Sequence, residues 1–343
     1  MITNYYYMIL VTGGTGLVGS HLLFDLLSKG NKVRALKREN SNIEFVRTTF
    51  TYYSNHANEL FKSIEWIDGD MLDPFSLEDA LKDIEDVYHC AALVSFRKEN
   101  RKNMQDINVE GTRNLINACL EANIRKFCMI SSVAALGSPE EGENTVTEKT
   151  PWSPEEKRSG YSASKFRSEL EVWRGIEEGL NAVIVNPSII LGPGQWDKGS
   201  SLLFKTVAKG LKYYTKGITG YVDVRDVSRS MIELMESDVV NERFILNSDN
   251  CSYEFIFKTI AKYLNIDEPQ KYAGRKLTEL AWRLAYLKTI FLFKPAVLTK
   301  ETARASHNIK YYSNRKIKEA LNFEFITVEK SIEDTLKHYP KKV

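Results

Sequence analysis

Residues 8–19 read Met8-Ile9-Leu10-Val11-Thr12-Gly13-Gly14-Thr15-Gly16-Leu17-Val18-Gly19, and residues 20–27 continue with apolar side chains at helical spacing. An apolar run that breaks into spaced glycines before an amphipathic segment describes a strand, a sharp turn and a helix start. Glycine allows the tight backbone path, while the free N–H groups and dipole at a helix start favour a bound anion. Gly13, Thr15, Gly16, Leu17, Val18 and Gly19 are therefore expected to cradle the pyrophosphate of a dinucleotide. A glycine triplet by itself fits any tight turn, so the strand before it and the helix after it carry the reading.

Beyond this turn, apolar runs rich in β-branched residues recur at 32–36, 64–67, 87–91, 127–131 and 182–186. Between most of them lie segments with apolar residues three and four apart, at 17–28, 76–82, 111–122 and 162–178. Alternating strands and helices imply a parallel sheet covered on both faces, which is why the strands read as nearly continuous apolar runs. The fold class expected is α/β, a doubly wound parallel-sheet Rossmann domain with a smaller, mixed and mainly helical C-terminal substrate domain. The first would comprise residues 1–187 and 221–246, the second 188–220 and 247–343, with no repeat or low-complexity tract in either. Residues 1–7 read as a short extension.

A chain of 343 residues buries a sizeable core without staples. Cys90, Cys119, Cys128 and Cys251 show no CxxC pairing, so neither a disulfide framework nor a zinc site is expected, and a reducing cytoplasm fits. The net charge of +2 carries no basic block, which argues against a nucleic-acid partner and for a small-molecule substrate. The stretch 277–298 contains Glu279, Arg283, Lys288, Lys294 and Pro295. Those residues interrupt it before about 20 apolar residues accumulate, so no stable membrane insertion is expected. A homodimer is compatible with this composition.

Three further positions bear on chemistry. The second strand ends in Arg34-Ala35-Leu36-Lys37-Arg38, where an NAD-selective protein usually presents an acid to the ribose. Arg38 can instead fork onto a 2′-phosphate, with Arg34 or Lys37 adding positive potential, so NADP(H) is favoured over NAD(H). Ser131-Ser132 follows the fifth strand, where ligands gather in open α/β sheets. Tyr161 and Lys165 stand four residues apart and hence on one helix face. A neighbouring ammonium favours phenolate, bringing Tyr161 nearer to neutral pH as a general acid or base.

YxxxK alone occurs on many ordinary helices, and the ordered set is what carries weight. Thr12-Gly13-Gly14-Thr15-Gly16-Leu17-Val18-Gly19, Asp70, His89-Cys90-Ala91-Ala92, Asn108-Val109-Glu110-Gly111-Thr112, Ser131-Ser132, Tyr161 to Lys165 and Asn186-Pro187-Ser188 together resemble the extended short-chain dehydrogenase/reductase family, the NAD-dependent epimerase/dehydratase superfamily. The resemblance spans most of the chain. It implies Ser132, Tyr161 and Lys165 as the catalytic set, with Lys165 also holding the ribose. It further implies Asp70 and Met71 or Leu72 at the adenine, Ala91 and Ala92 lining the cofactor groove, Asn108 bracing the fourth strand's end, and Pro187 with Ser188 beside the nicotinamide.

Within that family the glycine turn, 33–38, 186–194 and 222–227 most resemble the branch of dihydroflavonol reductases and 3β-hydroxysteroid dehydrogenases. That implies hydride transfer between nicotinamide and a carbonyl or alcohol. Nucleotide-sugar epimerases share the catalytic set and stay as an alternative, as does a catalytically silent, cofactor-binding regulatory protein. Sugar dehydratases carry an Asp-Glu pair where this chain has Val133 and Ala134, so dehydration is disfavoured. His89 reads as a packed strand histidine, and no histidines group as metal ligands, so no metal is expected. Asp226 reads as structural, with Tyr221 or Arg225 as candidates to face the pocket. Ser95-Phe96, 136–152, 194–214 and 282–293 are the candidate pocket segments, whose aromatics suit an apolar or ring-bearing substrate.

Overall fold

Seven strands pair side by side, every neighbour parallel, in the computed structural model. It describes residues 8–139, 142–153, 158–292 and 299–340. The strands are β1 (Met8–Thr12), β2 (Lys32–Lys37), β3 (Glu65–Asp68), β4 (Asp86–His89), β5 (Lys126–Ile130), β6 (Ala182–Pro187) and β7 (Glu242–Leu246). Their spatial order is β7-β6-β5-β4-β1-β2-β3. The chain winds one way from β1 through β3 and the other way from β4 through β7. The direction therefore reverses between β1 and β4, and a crevice opens at their C-terminal ends.

Six of the strands and the helices Leu17–Ser28, Pro74–Ala80, Gly111–Glu121 and Gly160–Glu177 fall where the periodicity placed them. Residues of alternate parity feed two cores. Val11, Val33, Leu22, Leu26, Phe50, Met231 and Phe244 pack on one face. Leu10, Val87, Leu115, Phe127, Val172 and Ile184 pack on the other. Both faces are thus covered, the condition that a parallel sheet imposes.

The second region has its own small core, built on Leu191, Phe204, Tyr221, Ile256, Ile260 and Ile332. It carries a three-stranded sheet in the order Asp249–Ser252, Ile218–Asp223, Ile189–Leu191. Of the segment that returns from the first excursion, the helix Val224–Glu236 packs against Leu17–Ser28 and the main sheet, and β7 becomes its seventh strand. Ile218–Asp223, by contrast, belongs to the smaller sheet.

Tyr221 is fully buried in that small core, and Arg225 is tied to Asp223 and Asp334, so neither is offered to a ligand. Asp226 accepts from Ile326 N and Arg229, the bracing role expected of it. All four cysteines are free. No helix among the described residues is long and apolar enough to cross a membrane, and no group of acids, histidines and cysteines there could hold a metal ion. The helix Arg275–Leu292 exposes Leu277, Leu280, Leu284 and Tyr286. Residues 1–7 and 293–298 lie outside the described residues.

Candidate active site

The turn after β1 is a backbone cradle. Gly13 has φ +69°, and a Cβ there would lie 2.4 Å from the Ala91 nitrogen. A Cβ on Gly19 would lie 2.3 Å from the Gly13 carbonyl oxygen. Side chains are therefore excluded where loop, helix and the end of β4 meet. The helix Leu17–Ser28 starts at Gly16 with no side-chain cap and no acidic residue in its first turn. Its N–H groups and positive dipole end remain available for an anion. Among the predicted loop contacts, Thr15 is half-buried and Gly16 exposed, whereas the Val18 side chain packs into the core.

Toward β2 and β3 a hollow of about 680 Å³ is lined by Arg38, Asp68, Asp70 and Asp73 among others. Arg34 and Lys37 do not reinforce Arg38 there. Arg34 donates to Glu65 (2.7 Å) and to the carbonyls of Ala80 and Lys82, and Lys37 pairs with Asp68. Strand pairing with β3 draws them to its acids, and Arg38 stands exposed with no carboxylate partner among the described residues. Asp70 accepts from Leu72 N at 2.9 Å in a local turn, while Asp73 caps the helix Pro74–Ala80. Met71 is buried in the core, which leaves Leu72, 44% exposed, as the apolar side chain facing outward.

Between the cradle and the helix carrying Tyr161 runs a chain of satisfied polar groups. His89 is buried between Thr12 Oγ1 (2.8 Å) and Thr112 Oγ1 (3.0 Å), and burial holds its imidazole neutral, with a pKa lowered to about 3. Asn108 lies in a π-helical turn, Gln105–Glu110. Its amide receives Leu93 N at 2.7 Å and donates to Leu93 O and Ser164 Oγ, each at 3.0 Å. The carbonyl of Asn108 accepts from the Thr112 and Ser168 hydroxyls at 2.5 and 2.6 Å. Asn108 thus pins the groove segment carrying Ala91 and Ala92 to the helix carrying Tyr161.

That helix, Gly160–Glu177, is capped by Ser159, whose hydroxyl accepts from Ser162 N at 3.0 Å. It brings Tyr161 and Lys165 beside the end of β5. Lys165 is buried and donates to the Ile130 carbonyl at 2.9 Å. Burial lowers its pKa to about 8, against the opposing charge of Glu169. The Tyr161 phenol stands beside the Ser132 hydroxyl and packs edge-on against Phe96 at 5.7 Å. Ser132 Oγ also accepts from Ala134 N at 3.1 Å, which fixes its rotamer. Contrary to expectation, Tyr161 titrates above its ordinary value. Loss of water around the phenolate outweighs the influence of the neighbouring Ser132 hydroxyl, and Lys165 spends its ammonium on Ile130. The protein as it stands presents a neutral phenol poised to donate.

Pro187 ends β6, and the Ser188 hydroxyl is turned to the Leu246 carbonyl at 3.2 Å. A larger cavity, about 760 Å³, lies elsewhere, along the helix Gly160–Glu177 between Phe166, Trp173, Arg243 and Lys316. None of the glycine turn, Ser132 or Tyr161 lines it, so the expected site residues gather at the open crevice instead. Glu169 is a buried acid that motif reading passed over: 1% exposed, it receives Asn186 Nδ2 at 2.6 Å and Arg243 Nη1 at 3.2 Å. Its signal in the sequence was an acid four residues after Lys165, on the same face.

The model of the NAD dependent epimerase/dehydratase family matches residues 9–246. Sterol demethylase protein B of Methylococcus capsulatus is 30% identical over 310 residues, 89% of this chain and 87% of that protein. A putative dihydroflavonol 4-reductase of Synechocystis is 29% identical over 269 residues, 76% of this chain and 73% of its own length. Among solved structures, that of gox2253 superposes with a TM-score of 0.78 at 29% identity, over 97% of both chains.

Proposed function

Because this chain belongs to the NAD-dependent epimerase/dehydratase family, we propose that it is an NAD(P)-dependent oxidoreductase that interconverts a carbonyl and an alcohol on a small molecule. The observation that carries this reading is the convergence of Tyr161, beside Ser132, and Lys165, anchored on Ile130, at the strand ends beside the glycine cradle. The reductase named among its relatives supports the same direction.

The cradle fits a dinucleotide: side chains are sterically excluded from it, and its helix start is uncapped. Gly13 to Gly19 would hold the pyrophosphate, and Arg38, Asp70 and Leu72 the adenosine end. Lys165 would hold the nicotinamide ribose, with Ala91, Ala92, Pro187 and Ser188 lining the groove. When bound, such a cofactor supplies hydride exchange. The residues of this chain do the rest. Tyr161 donates a proton to the substrate oxygen, Ser132 orients that oxygen, and Lys165 places positive charge beside the site. Arg38, exposed at the end of β2 where an acid would select NAD, favours the 2′-phosphate of NADP(H). Phe96, 41% exposed and packed on Tyr161, suits a substrate with an apolar or ring-bearing body.

The test titrates purified protein with NADPH and NADH, then screens aldehydes, ketones and UDP-sugars with absorbance at the reduced nicotinamide and product analysis. Net NADPH consumption with a carbonyl is expected. Sugar interconversion without net consumption would replace this reading by an epimerase, and tight cofactor binding with no turnover by a regulatory protein.

A further inference from the structure

The helix Gly160–Glu177 carries a third ionisable group on the face of Tyr161 and Lys165. Glu169 follows Lys165 by one helical turn. It is as buried as any core residue, and a carboxylate out of water must be neutralised or lose its charge. Its partners come from two other elements. Asn186 on β6 donates to it at 2.6 Å, and Arg243 on β7 donates at 3.2 Å. Arg243 is in turn clamped by the Glu148 carbonyl, through Nε at 2.9 Å and Nη2 at 2.5 Å. The Glu148 carboxylate fastens back onto Ile245 N at 2.8 Å. The pair therefore sits in a rigid clasp spanning a loop, the edge strand and the catalytic helix.

Two links run from this clasp to the reacting groups. Asn186 Nδ2 also donates to the Ser132 carbonyl at 3.0 Å, so one side chain ties Glu169 to the backbone of Ser132. The second link is charge. Lys165 is faced by Glu169 and Tyr161 on its own helix, by His89 and Cys90 from the end of β4, and by the Ile130 carbonyl of β5. His89 is neutral, and burial pushes the Cys90 thiol up to about 12. Burial raises the Glu169 carboxyl as well, against Arg243 and Asn186, and among these neighbours Glu169 is the carboxylate that opposes the desolvation of Lys165.

We propose that Glu169, kept ionised by Arg243, is a positioning residue that holds Lys165 as an ammonium and fixes the Ser132 backbone through Asn186. The proposal rests on Lys165 and Tyr161 being the catalytic pair. In this arrangement Arg243, at the wall of the rear cavity, controls the charge state of the site without touching it. Removing the Glu169 charge leaves the ammonium buried without a counterion, and Lys165 then releases its proton at lower pH.

The experiment uses the full chain, labelled with ¹³C at lysine, with the Lys165 Cε resonance identified by its loss in K165M. Its titration is followed without cofactor in wild type, E169Q and the double variant E169Q/R243Q. The double variant removes Arg243 together with its carboxylate partner, so the guanidinium is not left unpaired in the clasp. The midpoint of Lys165 is expected to fall by at least about one pH unit, a tenfold loss of proton affinity, in both variants. The high-pH limb of turnover should move down by the same amount, because activity is lost as pH rises through the Lys165 midpoint. Folded variants whose Lys165 midpoint stays at the wild-type value would overturn the proposal. A lowered midpoint with an unmoved activity limb would uphold the charge coupling and sink the catalytic role of Lys165 instead.

Discussion

Gly19→Ala separates two opposing effects at the cradle. Gly19 lies in the first turn of the helix Leu17–Ser28, where alanine would ordinarily be favoured over glycine by about 0.5–1 kcal/mol. Against this, its Cβ would sit 2.3 Å from the Gly13 carbonyl oxygen and 2.8 Å from Gly13 C and Gly14 Cα. All three are backbone atoms that cannot rotate away. Reaching ordinary contact near about 3.4 Å requires the helix start and the loop to separate by about 1 Å, an overpacking cost of about 1–3 kcal/mol. The steric cost exceeds the propensity gain, so a net loss of about 1–2 kcal/mol and a melting temperature lower by a few degrees are expected. Cofactor binding should suffer more. The same shift misaligns the N–H groups facing the pyrophosphate, and losing one charge-assisted hydrogen bond of about 1.5–3 kcal/mol weakens NADPH roughly 10- to 100-fold. Gly16→Ala is the internal control, because its Cβ would lie at 3.2 Å from the Gly13 oxygen, a contact relieved by a few tenths of an ångström. Differential scanning fluorimetry and fluorescence titration with NADPH read both quantities. Wild-type stability and affinity in the Gly19→Ala variant would refute the cradle as the site of the dinucleotide.

Tyr161→Phe keeps the ring against Phe96 but removes the phenolic proton, so steady-state turnover should fall by about 10²–10⁴-fold while the NADPH dissociation constant stays unchanged. Normal turnover would remove Tyr161 from the mechanism. Arg38→Ala should weaken NADPH by roughly tenfold and leave NADH untouched, since a surface guanidinium reads only the 2′-phosphate; equal effects in paired titrations would reject that role. His89, held near 3 by burial, stays neutral in the folded protein while the unfolded chain takes up a proton below about 6.5. Its contribution is therefore complete above that pH and is lost on acidification toward 3. Between pH 6.5 and 4 the wild type should lose on the order of 2–3 kcal/mol more stability than His89→Gln, measured by urea unfolding, and parallel acid profiles would contradict it.

Much of this protein is legible along the chain. The alternation of apolar runs and helical periods is a local property, set by which face each residue must bury, so it places six strands and four of the helices between them, though not Ile43–Thr51 or Ala57–Lys62. Gly13, Gly16 and Gly19, and the i, i+4 spacing of Tyr161 and Lys165, are likewise local, because a turn or a single helix decides what they can do. What local pattern could not decide was partnership across the fold. Arg34 and Lys37 look like neighbours of Arg38 along the strand, yet pairing with β3 hands them to Glu65 and Asp68. Met71 looks as available as Leu72 until the helix Gly111–Glu121 packs over it. Tyr161 reads as tuned by Lys165, yet burial and the Ile130 carbonyl claim both groups first. Glu169 and Arg243 are 74 residues apart and meet only because β6 and β7 lie side by side. Periodicity and turn chemistry act over a few residues and are written along the chain. Desolvation and ion pairing depend on what the folded sheet brings near, and only the tertiary structure decides that.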